Sequence, residues 1–187
     1  MKNLSDEELV NASLEDLKFF EILISRYEKK LQNYIFRISN FSIEDVEEIL
    51  QDVFLKVWKN LREFDGKLKF SSWIYRITHN ETISVFRKFK SHGDDNKIFI
   101  DDEIFDIPDK KNFLQELDIK FSGEKIKKIL NDLPKKYREI LVLKFLEEKN
   151  YDEISDILRI PPGTVATNIN RAKKKFREIV DKQSISF

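Results

Sequence analysis

Two kinds of side chain that could do binding chemistry meet within Asp45–Lys90. Ahead of a short Asp65-Gly66 loop stand carboxylates and an amide: Asp45, Glu47, Glu48, Gln51 and Asp52, with Glu44 just before them. Beyond it stand rings and cations: Phe70, Trp73 and Tyr75 with Lys67, Lys69, Arg76, His79, Asn80, Arg87, Lys88 and Lys90. The carboxylates suit a basic or amide-rich partner. Rings interleaved with cations suit unstacked bases and phosphates, because stacking contributes about 1–3 kcal/mol per base while cations hold the backbone.

The spacing around these residues says what must position them. Val46, Ile49, Leu50, Val53, Phe54, Val57 and Leu61 recur at three- and four-residue steps and predict an amphipathic helix. Its acids crowd the first turns and Lys56, Lys59 and Arg62 the last, both favoured by the helix dipole. Gln51 and Asp52 fall off the apolar stripe beside Glu48 and form a polar patch. A second helix follows the loop, with Ile74 and Ile77 as core positions. Trp73 and Ile77 read first as core, since aromatic stripes usually are. Lys67, Lys69, Arg76, His79, Asn80 and Arg87 read as nucleic-acid contacts.

A second signal lies in Tyr151–Val180. Ile154, Ile157 and Leu158 predict the inner face of a short helix. Pro161-Pro162-Gly163 then predicts a break, with Gly163 allowing a tight turn and Thr164 capping a new helix. Val165, Ile169, Ala172 and Phe176 keep helical spacing in that helix, which ends in Arg171, Lys173, Lys174, Lys175 and Arg177. Two helices across a tight turn with a basic exit predict a helix-turn-helix. A helix opened by Leu133-Pro134 and running through Tyr137, Ile140, Leu141 and Phe145 should pack beneath it, giving a four-helix DNA-binding module.

The 187 residues suffice for one domain or two small ones. There is no cysteine, so neither disulfides nor thiolate metal sites arise. No apolar run approaches a membrane span and the N-terminus lacks a signal peptide's apolar core, so a soluble cytoplasmic chain without membrane insertion is expected. With two histidines, His79 and His92, no glycine-rich phosphate loop and no metal-ligand spacing, the chain is read as no enzyme, with no cofactor and no metal. Net charge is zero, yet it alternates. Met1–Glu63 carries nine basic against thirteen acidic residues, and Phe64–Gly93 six against two. Asp94–Glu124 carries four against ten, and Lys125–Phe187 fifteen against nine. Positive charge thus gathers on the two candidate DNA-reading segments. The acidic stretch 93–124 has no sustained period and reads as a linker, with Ile98, Phe99, Ile100 and Phe105 as protein-docking residues. The expected architecture is all-α: two small helical domains on a tether, over 1–92 and 125–187.

Read together, DVEEILQDVFLKVW, FSSWIYRITHN, LPKKYREILVLKF, EISDILRIPPGTV and NRAKKKF resemble a bacterial RNA polymerase sigma factor of the extracytoplasmic-function class. Such factors carry only sigma regions two and four. The resemblance implies that Glu48, Gln51, Asp52 and Phe54 dock on the clamp helices of the largest polymerase subunit. It implies that the loop from Phe64 through Asp65, Lys67 and Lys69 to Phe70 captures a base flipped from the minus-ten element. Trp73, Arg76, His79, Asn80 and Arg87 would contact the melted strand and adjoining duplex. Thr164, Ala166, Thr167, Asn168, Asn170, Arg171, Lys174 and Lys175 would enter the major groove at the minus-thirty-five element. The second module would also meet the flap of the second-largest subunit, and an anti-sigma factor is a further partner of the class. Two departures stand out. Ala166, Thr167, Asn168 and Asn170 occupy positions where the family commonly has basic residues; asparagine pairs better with adenine than guanine, so either an adenine-rich minus-thirty-five element or weak reading there is expected, an accessory recruiting protein supplying the targeting in the second case. Glu81 stands where an aliphatic residue is usual. The competing reading, a stand-alone helix-turn-helix regulator, explains Tyr151–Arg177 but leaves the acidic helix and aromatic segment without a role.

Overall fold

The computed structural model describes residues 4–91 and 123–182, which fall in two compact helical units. No strand occurs among the described residues. The expected linker residues His92, Ile98, Phe99, Ile100 and Phe105 lie outside them.

In the first unit, α1 (Asp6–Ser13), α2 (Leu17–Ile38), α3 (Ile43–Lys59) and α4 (Phe70–Ser91) follow one another, with a 3-10 turn at Leu61–Glu63. Local chemistry starts three of them. Ser5 with Glu8 and Ser42 with Asp45 form reciprocal capping boxes on α1 and α3, and Asp16 accepts from the Lys18 amide on α2. The predicted stripe of α3 is the observed one: Val46, Ile49, Leu50, Val53 and Val57 are buried, as is Leu61 just beyond, while Phe54 stays half-exposed. Helix α3 packs on α2 and α4, where Leu23, Leu31, Ile35 and Ile74 are likewise buried, each buried side chain contributing about 1.5–3 kcal/mol.

Side-chain pairs fix the helix directions. Tyr27 meets Phe70 at 5.5 Å between ring centroids and Tyr34 meets Tyr75 at 5.2 Å, so α2 and α4 run in parallel. The first turns of α3 face Val85 and Phe89, whereas Lys56 near its end bonds Glu81, so α3 and α4 run antiparallel. That bond explains the unusual Glu81. Its side chain is only 9% exposed and Lys56 reaches across from α3 to neutralise it, whereas a lone buried charge would be costly.

The second unit holds α5 (Gly123–Asn131), α6 (Lys135–Leu141), α7 (Tyr151–Leu158) and α8 (Pro162–Lys182). The expected four helices are present, α5 starting two residues ahead of the boundary read from sequence. Helix α6 widens into a π turn over Val142–Leu146. Fully buried Arg138 donates from Nε to the Leu130 carbonyl and from Nη2 to that of Asn131, capping the C-terminal end of α5 with a cation. Val165, Ile169, Ala172 and Phe176 are buried as their spacing predicts.

The turn between α7 and α8 differs from the expectation. The chain reverses at Arg159, which takes the left-handed conformation (φ 58°), and Ser155 pins the turn by donating to the Ile160 carbonyl at 2.7 Å. Pro162 and Gly163 already belong to α8, and the Pro161 carbonyl accepts from Val165. Proline suits the first helical position, where its preset φ helps and its missing N–H is not needed. Thr164 therefore sits inside the first turn and is no N-cap; the residue ahead of the helix is Pro161, whose side chain has no oxygen to cap with.

Candidate nucleic-acid interface

The loop after α3 is shaped by its own polar groups. Asp65 accepts from the Lys67 amide at 3.0 Å through Oδ1, and its carbonyl accepts from Leu68 at 3.0 Å, a tight Asx-type turn. Asp65 is thus a loop-shaping residue, with Lys67 and Lys69 exposed on either side of Leu68. Phe64 is half-exposed and leans on Phe70 at 5.7 Å and Trp73 at 5.3 Å. Phe70 is fully buried between Tyr27 and Phe64, so its ring offers no face to a base in this conformation; it supports the loop from below. Trp73 is also buried, as the core reading expected, at 9% exposure.

Along α4, burial selects one outward line. Arg76, Asn80 and Arg87 follow at four- and seven-residue steps, and Lys69 continues that line just before the helix. Arg76 and Arg87 stand about 16 Å apart along the axis, eleven residues of helical rise. His79 lies to one side, with Nδ1 3.1 Å from the hydroxyl of buried Tyr34. That contact orients the imidazole. The cations and the amide on this line can bind a phosphate backbone, and the half-exposed ring of Phe64 at its head can stack on a base.

A second face is acidic. Glu48, Gln51 and Asp52 are exposed on α3. Glu48 and Asp52 line a groove of about 370 Å³ together with Asp45, Ile49, Val85, Lys88 and Phe89. Phe54 does not join them; it is half-buried, on the flank of α3 that carries Trp58. Sequence reasoning missed two exposed apolar residues there, Leu55 at 55% and Trp58 at 43%, the latter 4.9 Å from Phe20. Leu55 follows Gln51 by one turn, and an apolar pair beside carboxylates is the composition of a protein-docking patch. The spacing that marked the buried stripe passes over apolar residues outside it.

On α8, the face opposite Val165 and Ile169 carries Gly163, Thr167, Asn170 and Lys174, with Thr164 exposed at its edge. Thr167 donates to the Gly163 carbonyl at 3.1 Å. Ala166 and Asn168 fall on the flanks rather than the outward line, and Arg171 is half-buried. Lys175 pairs with Glu178 at 3.3 Å, so part of its charge is answered within the helix.

Residues 23–91 match the family Sigma-70 region 2, and residues 123–176 match Sigma-70, region 4. Over 174 residues the chain is 31% identical to the ECF RNA polymerase sigma factor SigW of Bacillus subtilis (strain 168), covering 87% of this chain and 89% of that one. The chain belongs to the extracytoplasmic-function sigma factors. This sigma factor is also 28% identical over 182 residues to the ECF RNA polymerase sigma-E factor of Escherichia coli (strain K12), covering 92% and 93% of the two chains. Two solved structures share its fold. CnrH, in complex with the cytosolic domain of CnrY, has a TM-score of 0.71 at 20% identity, covering 96% of this chain and 99% of that one. RpoE, in complex with the anti-sigma factor NepR from Bartonella quintana, has a TM-score of 0.65 at 23% identity, covering 88% and 98%. As a sigma factor, the chain binds core RNA polymerase and directs it to promoter DNA for transcription initiation. The match to region 2 covers the acidic helix and the aromatic segment, which a stand-alone helix-turn-helix regulator does not account for. No described helix is long and apolar enough to cross a membrane, and no described cluster of His, Cys, Asp and Glu could hold a metal ion.

Proposed function

We propose that this sigma factor divides its work among three faces. Region two occupies 1–92, region four 125–187, and the acidic stretch 93–124 tethers them in the cytoplasm. Glu48, Gln51 and Asp52, joined by Leu55 and Trp58, dock on the clamp helices of the largest polymerase subunit. Lys67, Lys69, Arg76, His79, Asn80 and Arg87 hold the melted minus-ten strand, with Phe64 at the mouth of the base-capturing loop. Region four meets the flap of the second-largest subunit and reads the minus-thirty-five element. The chain itself catalyses nothing; polymerase performs the chemistry. The observation that carries this reading is the line Lys69–Arg76–Asn80–Arg87, which starts at the aromatic wall and lies on a different helix from the acidic patch. Unstacking a base costs a few kcal/mol, and stacking with backbone contacts returns it. An anti-sigma factor is a further partner, supported by the NepR complex of its structural relative.

Alanine at Lys69, Arg76 or Asn80 should leave core binding intact and lower permanganate reactivity of minus-ten thymines in the holoenzyme complex. Full reactivity in all three variants would refute the assignment. In region four, Asn170 is the amide on the outward line, and it suits adenine, the loss of one bidentate pair costing about 1–3 kcal/mol. Promoter selection from a randomised minus-thirty-five library should return adenine there, and Asn170→Ala should relax that preference. A guanine preference at that position would contradict the reading.

A further inference from the structure

The N-terminal helix α1 holds the start of α4 in a way that neither the matched regions nor the proposed contacts use. Region 2 is matched only from residue 23. Helix α4 begins at Phe70, where the base-capturing loop ends, and its first turn contains no acidic residue. The missing negative charge comes from elsewhere: the Phe70 amide donates to Glu7 Oε1 at 3.2 Å. A carboxylate at this place satisfies an amide that has no intrahelical acceptor and lies at the positive end of the helix dipole.

The neighbouring residue ties α1 to the same point from the other side. Asp6 accepts from Arg26 Nη1 at 2.8 Å and from the Tyr27 hydroxyl, and the Tyr27 ring packs edge-on against Phe70. Burial and the bond to Asp6 push the Tyr27 phenol well above its ordinary range, so it remains a donor. Phe70 is therefore gripped twice, at its amide by Glu7 and at its ring by Tyr27, with Asp6 anchoring Tyr27. The capping box of Ser5 and Glu8 sets α1 in register for both contacts.

We propose that Asp6 and Glu7 are positioning residues for minus-ten base capture, making α1 part of the strand-opening apparatus. They hold the Phe64–Phe70 loop in its receptive shape and touch no DNA themselves. This rests on the minus-ten reading of that loop.

The test uses the full chain assembled with bacterial core RNA polymerase. Its binding to a fluorescent single-stranded oligonucleotide carrying the non-template minus-ten sequence of a promoter it transcribes is measured. Glu7→Ala should weaken oligonucleotide binding about tenfold, the scale of a lost helix cap, with core affinity and duplex minus-thirty-five binding unchanged. Glu7→Gln keeps an acceptor oxygen and should recover most of the loss. Asp6→Asn loosens the grip from its far end and should give a smaller loss in the same assay. Wild-type binding by both Glu7→Ala and Asp6→Asn would overturn the proposal, as would a parallel fall in core affinity or no recovery in Glu7→Gln. Failure of the wild-type holoenzyme to bind the oligonucleotide would instead remove the minus-ten reading beneath it.

Discussion

At the scale of single residues, this chain depends on charges that are buried and answered at a distance. Glu81 is held by Lys56, twenty-five positions away on another helix, so no local pattern reveals the pairing. Arg138 is another case: its buried guanidinium caps α5, and burial lowers its pKa to about 10, opposed by Glu139 and Asp132, so it keeps its charge at neutral pH. Glu139 is the residue with a consequence in the physiological range. Burial pushes its carboxyl from 4.5 up to about 7, although Lys135 and Arg138 pull the other way. Its Oε1 has no hydrogen-bond partner, and the Lys135 ammonium stands 4.0 Å off. Below pH 4.5 both the folded and unfolded chains carry the proton, so burial of Glu139 exacts no charge penalty. Between about 4.5 and 7 the unfolded chain ionises first, so stability falls as pH rises, by about 3 kcal/mol in all. Thermal unfolding should show the second unit more stable at pH 5 than at pH 8. Glu139→Gln should flatten that difference; an unchanged pH dependence in the variant would assign it to another group.

At the scale of elements, capping separates the helices that fix their own ends from those that do not. Asn150 accepts from the Glu153 amide at 2.9 Å, and Glu153 accepts from the Asn150 amide at 2.8 Å, starting α7. Asn150→Ala should cost about 1 kcal/mol in denaturant unfolding. Thr164→Ala should change stability by less than half of that, because Thr164 lies within the first turn of α8; equal losses would restore it as a cap. The helices themselves were legible, since the stripes of α3 and α8 are written in apolar spacing. The α7–α8 turn was legible as a break but misplaced by a few residues. A left-handed residue at a helix end is usually glycine, and here it is Arg159, whose type carries no such signal. Lys69, Arg76, Asn80 and Arg87 were singled out one by one and the structure sets them along one line, whereas which rings face outward was not legible. Phe70 and Trp73 are buried because α2 contributes Tyr27 to the same aromatic cluster, a contact spanning some forty positions.

At the scale of the whole molecule, zero net charge conceals a division of labour. The first sixty-three residues are acidic and present Glu48, Gln51 and Asp52; the next thirty are basic and present the line on α4. On the proposed assignment, one helical unit offers a protein partner and a nucleic acid two faces of opposite sign, and each face would steer its own partner and repel the other's. Buried apolar contacts hold both faces on one scaffold, and reversing charge on the exposed face of α3 should leave that scaffold intact. The most direct measurement is equilibrium binding of Glu48→Lys and Asp52→Lys chains to bacterial core RNA polymerase, beside the wild type and with circular dichroism confirming the fold. Both variants should lose core binding at least tenfold while melting at the wild-type temperature. Wild-type affinity in both would show that the acidic face of α3 is not where this sigma factor meets the polymerase.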